Sequence, residues 1–136
     1  MRYLFTIAFL LTLCACGAGV PGKYSLDIAA TKAAYASSDA AKKQPEQAKA
    51  EEARIDQMKI GLALNADGSF TMDFEMTGEK KSTVKGTYKL EGDKLSLTGK
   101  DEGMRHEETV SGEVAVGVIT LRSENTRPPV LVFHRD

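Results

Sequence analysis

The stretch Met58-Lys59-Ile60-Gly61-Leu62-Ala63-Leu64-Asn65-Ala66-Asp67-Gly68-Ser69-Phe70-Thr71-Met72-Asp73-Phe74-Glu75-Met76 alternates large apolar residues with small or polar ones on both sides of a single turn signal. A period of two places Met58, Ile60, Leu62 and Leu64 on one face of a strand, and Phe70, Met72, Phe74 and Met76 on the same face of the next. Asn65 to Gly68 supplies the reversal. The unit is a β-hairpin with one buried face, and the question for the rest of the chain is how many more follow it.

Towards the C-terminus the pattern repeats. Val84 to Leu90 alternates, turns at Glu91-Gly92-Asp93, and continues through Leu95 and Leu97. His106 to Val114 and Val116 to Ser123 are expected as a further hairpin, joined around Gly112 and Glu113. After the Arg127-Pro128-Pro129 break the chain ends in Val130-Leu131-Val132-Phe133-His134. Sequential hairpins with one apolar face predict an antiparallel meander, and closing it on itself removes the edges that would invite aggregation.

Towards the N-terminus the composition changes. Ile28 to Arg54 holds ten alanines with many Lys, Glu and Gln, which predicts helix. Pro45 cannot sit in a helix interior, so a first helix is expected from about Ile28 to Ala41 and a second from Pro45. Asp27 is placed to cap the first. Their apolar stripes are thin: Ile28, Thr31 and Tyr35, then Ala48, Glu52 and Ile55. Two readings follow, a lid or partner-docking surface, or a solvated cap over one end of the sheet. Before the helices, Lys23 to Asp27 reads as a short strand carrying Tyr24 and Leu26 on one face. With it the strand count reaches about eight.

The first residues have a different character. Met1-Arg2 precedes an apolar run from Tyr3 to Leu13, too short for a spanning helix, and then Cys14-Ala15-Cys16-Gly17. A charged start, a short apolar stretch and a small residue form the pattern of an export signal. The expected layout is a signal peptide over 1–15, a tether over 16–22 and a folded domain over 23–136, with the helical insertion at about 28–57. On that layout Cys14 leaves with the signal, so the domain folds without a disulfide.

Charge and motifs narrow the function classes. Eighteen basic and nineteen acidic residues leave a net charge of −1, with no basic surplus for a nucleic acid backbone. There is no nucleophile elbow, Gly-rich phosphate loop, HExxH or CxxC spacing, and only two histidines supply general bases. We therefore expect no enzyme and no cofactor, and no nucleic acid partner.

Two resemblances carry the expectation further. Leu13-Cys14-Ala15-Cys16 resembles the lipobox of bacterial lipoproteins, which implies that Cys16 becomes the acylated first residue of the mature chain. Gly17 where an inner-membrane sorting signal would place Asp implies the outer membrane, with the domain facing the periplasm. The order strand, helical insertion, hairpins is similar to the lipocalin and fatty-acid-binding-protein group. Gly22-Lys23-Tyr24 sits where lipocalins have Gly-x-Trp, Gly86 to Leu97 is similar to the central hairpin of such domains, and Arg135 follows the last strand where lipocalins place a cation over the first-strand aromatic. The resemblance implies a lipocalin-like barrel and does not itself imply a ligand.

An eight-stranded barrel is wide enough either to be filled by its own side chains or to hold one small ligand. Gly86, Gly99 and Gly112 fall on the inward face, where they leave a cavity or else mark bends in a filled core. Met58, Met72 and Met76 would be an adaptable lining. The candidate ligand-binding residues are Phe70, Phe74, Tyr88 and Leu121 as apolar walls, with His106 and Glu108 as an inward polar pair near the mouth or a rim pair in water. Two ligands do not make a zinc site. Arg122 lies on the outward face and no inward Arg is evident, which counts against a free fatty acid and towards a neutral apolar ligand, or none. The first functional expectation is thus a membrane-anchored binder of a small apolar or amphiphilic molecule. Its rival is a filled barrel acting on an envelope protein partner, as an interaction or inhibitor module, through loops such as Gly78 to Ser82 and Glu124 to Pro129.

Overall fold

The computed structural model describes residues 20–136; the expected signal peptide, Cys16 and Gly17 lie outside the described residues. Eight strands follow one another: β1 (Gly22–Leu26), β2 (Met58–Leu64), β3 (Ser69–Met76), β4 (Ser82–Glu91), β5 (Lys94–Asp101), β6 (Glu108–Ala115), β7 (Val118–Arg122) and β8 (Val130–Arg135). Each pairs antiparallel with its neighbour in sequence, and β1 pairs with β8, so the sheet is a closed up-and-down barrel. Three helices lie between β1 and β2: α1 (Ile28–Ala36), α2 (Asp39–Lys43) and α3 (Pro45–Ile55).

The hairpin read first has the register its alternation requires, Met58 opposite Met76 through Leu64 opposite Phe70. Asn65 N–H donates to Ser69 O at 2.9 Å, and Gly68 takes the positive φ (+88°) that the turn needs. The Asp67 carboxylate accepts from both the hydroxyl and the amide of Ser69, which holds its pKa below the usual value. Gly92 (φ +62°) turns the next hairpin where it was expected.

The third hairpin differs. The chain reverses at Val116-Gly117, between Ala115 and Val118, and not around Gly112 and Glu113. Gly112 is inside β6 opposite Leu121; it is there because a Cβ would come within 2.1 Å of Thr120 O, whereas Gly117 has the positive φ (+69°) of the reversal. His106, expected to begin this hairpin, lies before β6 in the connection from β5.

The helical segment also divides differently. The expected first helix ends at Ala36, because the Ser37 hydroxyl donates back to Ala33 O and the Ser38 hydroxyl to Tyr35 O. Ser38 then caps α2, accepting from Ala41 N–H at 3.4 Å. Asp27 caps α1 through Ala30 N–H at 2.9 Å, and Pro45 opens α3. The helices cover the outside of β8: Thr31 and Tyr35 are buried, and so are the outward-facing Val130 and Val132 beneath them. Ile55 at the end of α3 is fully buried.

Strand β1 stops at Leu26, so it pairs with β8 only from Tyr24 to Leu26. The backbone of Val132 would otherwise lose its partners on that side. Asp27 N–H donates to Val132 O at 2.8 Å, the Thr31 hydroxyl donates to the same oxygen at 3.3 Å, and Val132 N–H donates to that hydroxyl at 3.0 Å. A side chain on α1 thus continues the ladder that β1 leaves unfinished.

The long helix-bearing connection and the 77–81, 102–107 and 123–129 connections gather at one end of the barrel. The other end holds the three tight turns and closes on Tyr24, whose hydroxyl donates to Val20 O at 2.6 Å. The Arg135 guanidinium lies 5.7 Å from the centre of the Tyr24 ring and donates to Pro21 O, which seals that end.

Two measurements check this account. Thr31→Val keeps the shape but leaves Val132 N–H buried without a partner, and should lower the stability by about 1–3 kcal/mol in a denaturant titration, with Thr31→Ser losing much less. Gly112→Ala should cost about 1–3 kcal/mol, because the methyl group meets backbone and not a movable side chain. Gly61→Ala, where nothing lies within 4 Å, should stay within about 0.5 kcal/mol.

Candidate functional site

The barrel interior is unevenly filled. Tyr24, Leu62, Leu95, Ile119, Leu121 and Phe133 are almost wholly buried and pack the closed end and the wall made by β1, β7 and β8. Against the opposite wall, from β2 to β6, a cavity of about 360 Å³ opens at the end that carries the helices. Its walls are apolar: Ile60, Phe70, Met72, Phe74, Leu97 and Val110.

The ladder explains the closeness of this lining. Asn65–Ser69 at one end of β2–β3 and Gln57–Thr77 at the other are hydrogen-bonded pairs, so by alternation Met58–Met76, Ile60–Phe74, Leu62–Met72 and Leu64–Phe70 are the non-bonded pairs, where side chains approach most closely. All four methionines of the described residues, Met58, Met72, Met76 and Met104, border the cavity. Unbranched thioether side chains repack at little cost around differently shaped contents.

The inward glycines do not themselves make the space. Phe70 lies across Gly99, where a Cβ would sit 2.7 Å from its Cζ, and Leu121 lies across Gly112 in the same way. At Gly86 the carbonyl of Thr98 comes so close that a Cβ would be 2.0 Å from it. These positions admit large neighbours and close strand approach, and the cavity lies where the barrel lacks filler at the open end.

Of the candidate binding residues, four come together around the cavity: Phe70 and Phe74 in its wall, His106 and Glu108 at its mouth. His106 and Glu108 are exposed rim groups, and Glu108 opposes Gly99 with its side chain on the inward parity. Tyr88 and Leu121 are elsewhere. The Tyr88 hydroxyl donates to Asn65 O at 2.7 Å near the closed end, and burial, with Asp67 nearby, raises its pKa. Leu121 is buried beside Gly112.

The mouth also contains residues that the strand alternation did not reveal. Arg54 reaches it from α3, Lys80 from the 77–81 connection, Met104 from the 102–107 connection and Arg127 from the 123–129 connection; Asp101, inward at the end of β5, completes it. The expectation of no inward Arg is thus corrected: Arg54 and Arg127 reach the mouth from outside the sheet, and Arg135 on β8 has the inward parity of Tyr24 at the closed end. The usable signal was topological: connections that share one end of a meander share one rim.

A second hollow of about 400 Å³ lies between the helices and the 123–129 connection, with Tyr35, Glu51, Thr126 and Arg127 on its walls. Burial raises the Tyr35 pKa, reinforced by Glu51 and Glu52 and opposed by Arg127. Glu51 Oε1 is buried without a hydrogen bond, 3.9 Å from Arg54 Nη1. Thr126 and Arg127 border both hollows, so one short segment separates them. Among the described residues no group of three or more His, Cys, Asp and Glu side chains is placed to hold a metal ion, and no helix is long and apolar enough to cross a membrane.

Comparison of the chain with protein-family models, with curated proteins and with solved structures finds no match.

Proposed function

We propose that this chain is a lipid-anchored envelope protein that carries a small apolar or amphiphilic molecule in a lipocalin-like barrel. The observation that supports the reading most is the cavity: about 360 Å³, walled by Phe70, Phe74, Ile60, Leu97 and the methionines, and bordered by residues of the connections at the helical end. That volume is at the lower end of the ~300–1,000 Å³ typical of small-molecule sites, and apolar walls with a few polar groups at the entrance are their usual composition. Anchoring rests on the leader alone. On that reading Cys16 is acylated, the domain faces the periplasm from the outer membrane, and the protein acts by binding and not by catalysis.

The rival, a filled module for a protein partner, finds less support. The interior has a hollow, and among the described residues the exposed large apolar side chains, Met104 and Val116, lie at opposite ends of the barrel and form no common patch.

Native mass spectrometry of the chain purified from membranes in a mild detergent should show a reproducible bound mass. Val110→Phe, which adds a ring to a half-buried position in the cavity wall, should reduce that bound fraction at least several-fold while thermal unfolding stays cooperative. Tyr88→Phe, away from the cavity, should leave the bound fraction unchanged. A wild-type chain that is free of adducts and stays so after incubation with lipid extract would refute the binding reading.

A further inference from the structure

The mouth of the cavity carries both signs of charge, and they come from different elements. Arg54 projects from α3 and Arg127 from the connection before β8, whereas Asp101 and Glu108 stand on the inward parity where β5 ends and β6 begins, opposite Val84 and Gly99. The remaining mouth charges largely cancel locally: Glu79 and Lys80 are neighbours on one connection, and Glu75 is on the outward parity opposite Lys59.

Opposite charges on a shared rim ordinarily collapse onto one another. Here the ion pairs among the described residues are Lys32–Asp56, Arg54–Glu51, Lys81–Asp73 and His134–Asp27, and none joins Arg54 or Arg127 to Asp101 or Glu108. Even the Arg54–Glu51 contact is long, at 3.9 Å. Arg127, Arg54 with Glu51 beside it, and the two carboxylates therefore border the opening with no ion pair between the two signs across it, above a hollow whose deeper walls are mostly apolar.

Resting on the binding function proposed above, we infer that the ligand is a single-chain zwitterionic amphiphile, with a phosphate at Arg54 and Arg127, an ammonium at Asp101 and Glu108, and its one tail among Phe70, Phe74 and the methionines. The guanidinium fork suits a phosphate's oxygens, and a pair of carboxylates suits an ammonium's three donors. A cavity of about 360 Å³ has room for one modest chain and not for two. A purely anionic head would leave the carboxylates facing negative charge, and a neutral one would make no charge contact with any of the four.

The test is native mass spectrometry of the full chain in a saccharide detergent, with an equimolar mixture of three probes sharing one acyl tail: a lysophosphatidylethanolamine, a lysophosphatidylglycerol and a monoacylglycerol. The zwitterionic adduct should exceed each of the others by about three- to tenfold, the scale set by a few solvent-exposed charge contacts. Arg54→Gln with Arg127→Gln should lower both phosphate-bearing adducts several-fold relative to the neutral one, the anionic probe falling furthest. Asp101→Asn with Glu108→Gln should remove the advantage of the zwitterionic probe over the anionic one. All four positions are at the rim, and unchanged thermal unfolding confirms that the variants fold. Equal adducts for the three probes, or a preference that neither double variant alters, would overturn the inference while leaving the binding function intact. No adduct with any probe would overturn both.

Discussion

Everything in this fold depends on how β8 is satisfied along the edge that β1 covers only in part. Three register pairs, from Tyr24 opposite Arg135 to Leu26 opposite Phe133, join the first strand to the last. Beyond them the ladder passes to the Asp27 amide and the Thr31 hydroxyl. Without that continuation a buried strand would have unpaired backbone groups, and the barrel would have a slot in its wall. The helical insertion is therefore part of the closure: its first helix supplies a sheet contact through a side chain, and its packing over Val130 and Val132 keeps that contact dry.

The same device separates the two ends of the molecule. Tight reversals at Gly68, Gly92 and Gly117, together with the Arg135 guanidinium on Tyr24, close one end of the barrel. The long connections gather at the other, and α1 draws the helical packet towards β8, away from the opposite wall. The core consequently fills on the β1, β7 and β8 side and remains hollow between β2 and β6. The position of the cavity follows from where the insertion is anchored, and the charges around its mouth follow from which connections meet there.

Much of the barrel was legible because strand periodicity is a local property. The first hairpin, its register, the cap at Asp27 and the helix start at Pro45 all follow from residues within a few positions of one another. Two local features were misleading. Gly112 carries the same composition signal as a turn glycine, and only its neighbour across the sheet, Thr120, distinguishes close strand approach from reversal. Ser37 and Ser38 break a helix that their alanine-rich surroundings favour, because both hydroxyls bond back to carbonyls. The site was half legible. Phe70, Phe74 and Glu108 declare their inward parity in the alternation, but Arg54 and Arg127 have no strand parity to declare. Tyr88 and Leu121 share the inward parity of the true walls and are distinguished only by depth along the barrel, which a period of two does not encode.

The pairing of strands that are neighbours in sequence bears on how the chain reaches this structure. From β2 to β8 every pairing is local, so hairpins can form and add to one another with little loop entropy to overcome. The β1–β2 pairing must wait for the helical segment to be spanned, and the β1–β8 pairing joins residues at nearly opposite ends of the domain. Closing the β1 seam therefore carries the largest loop-entropy cost in the barrel, and it falls on the same β8 edge that Asp27 and Thr31 complete.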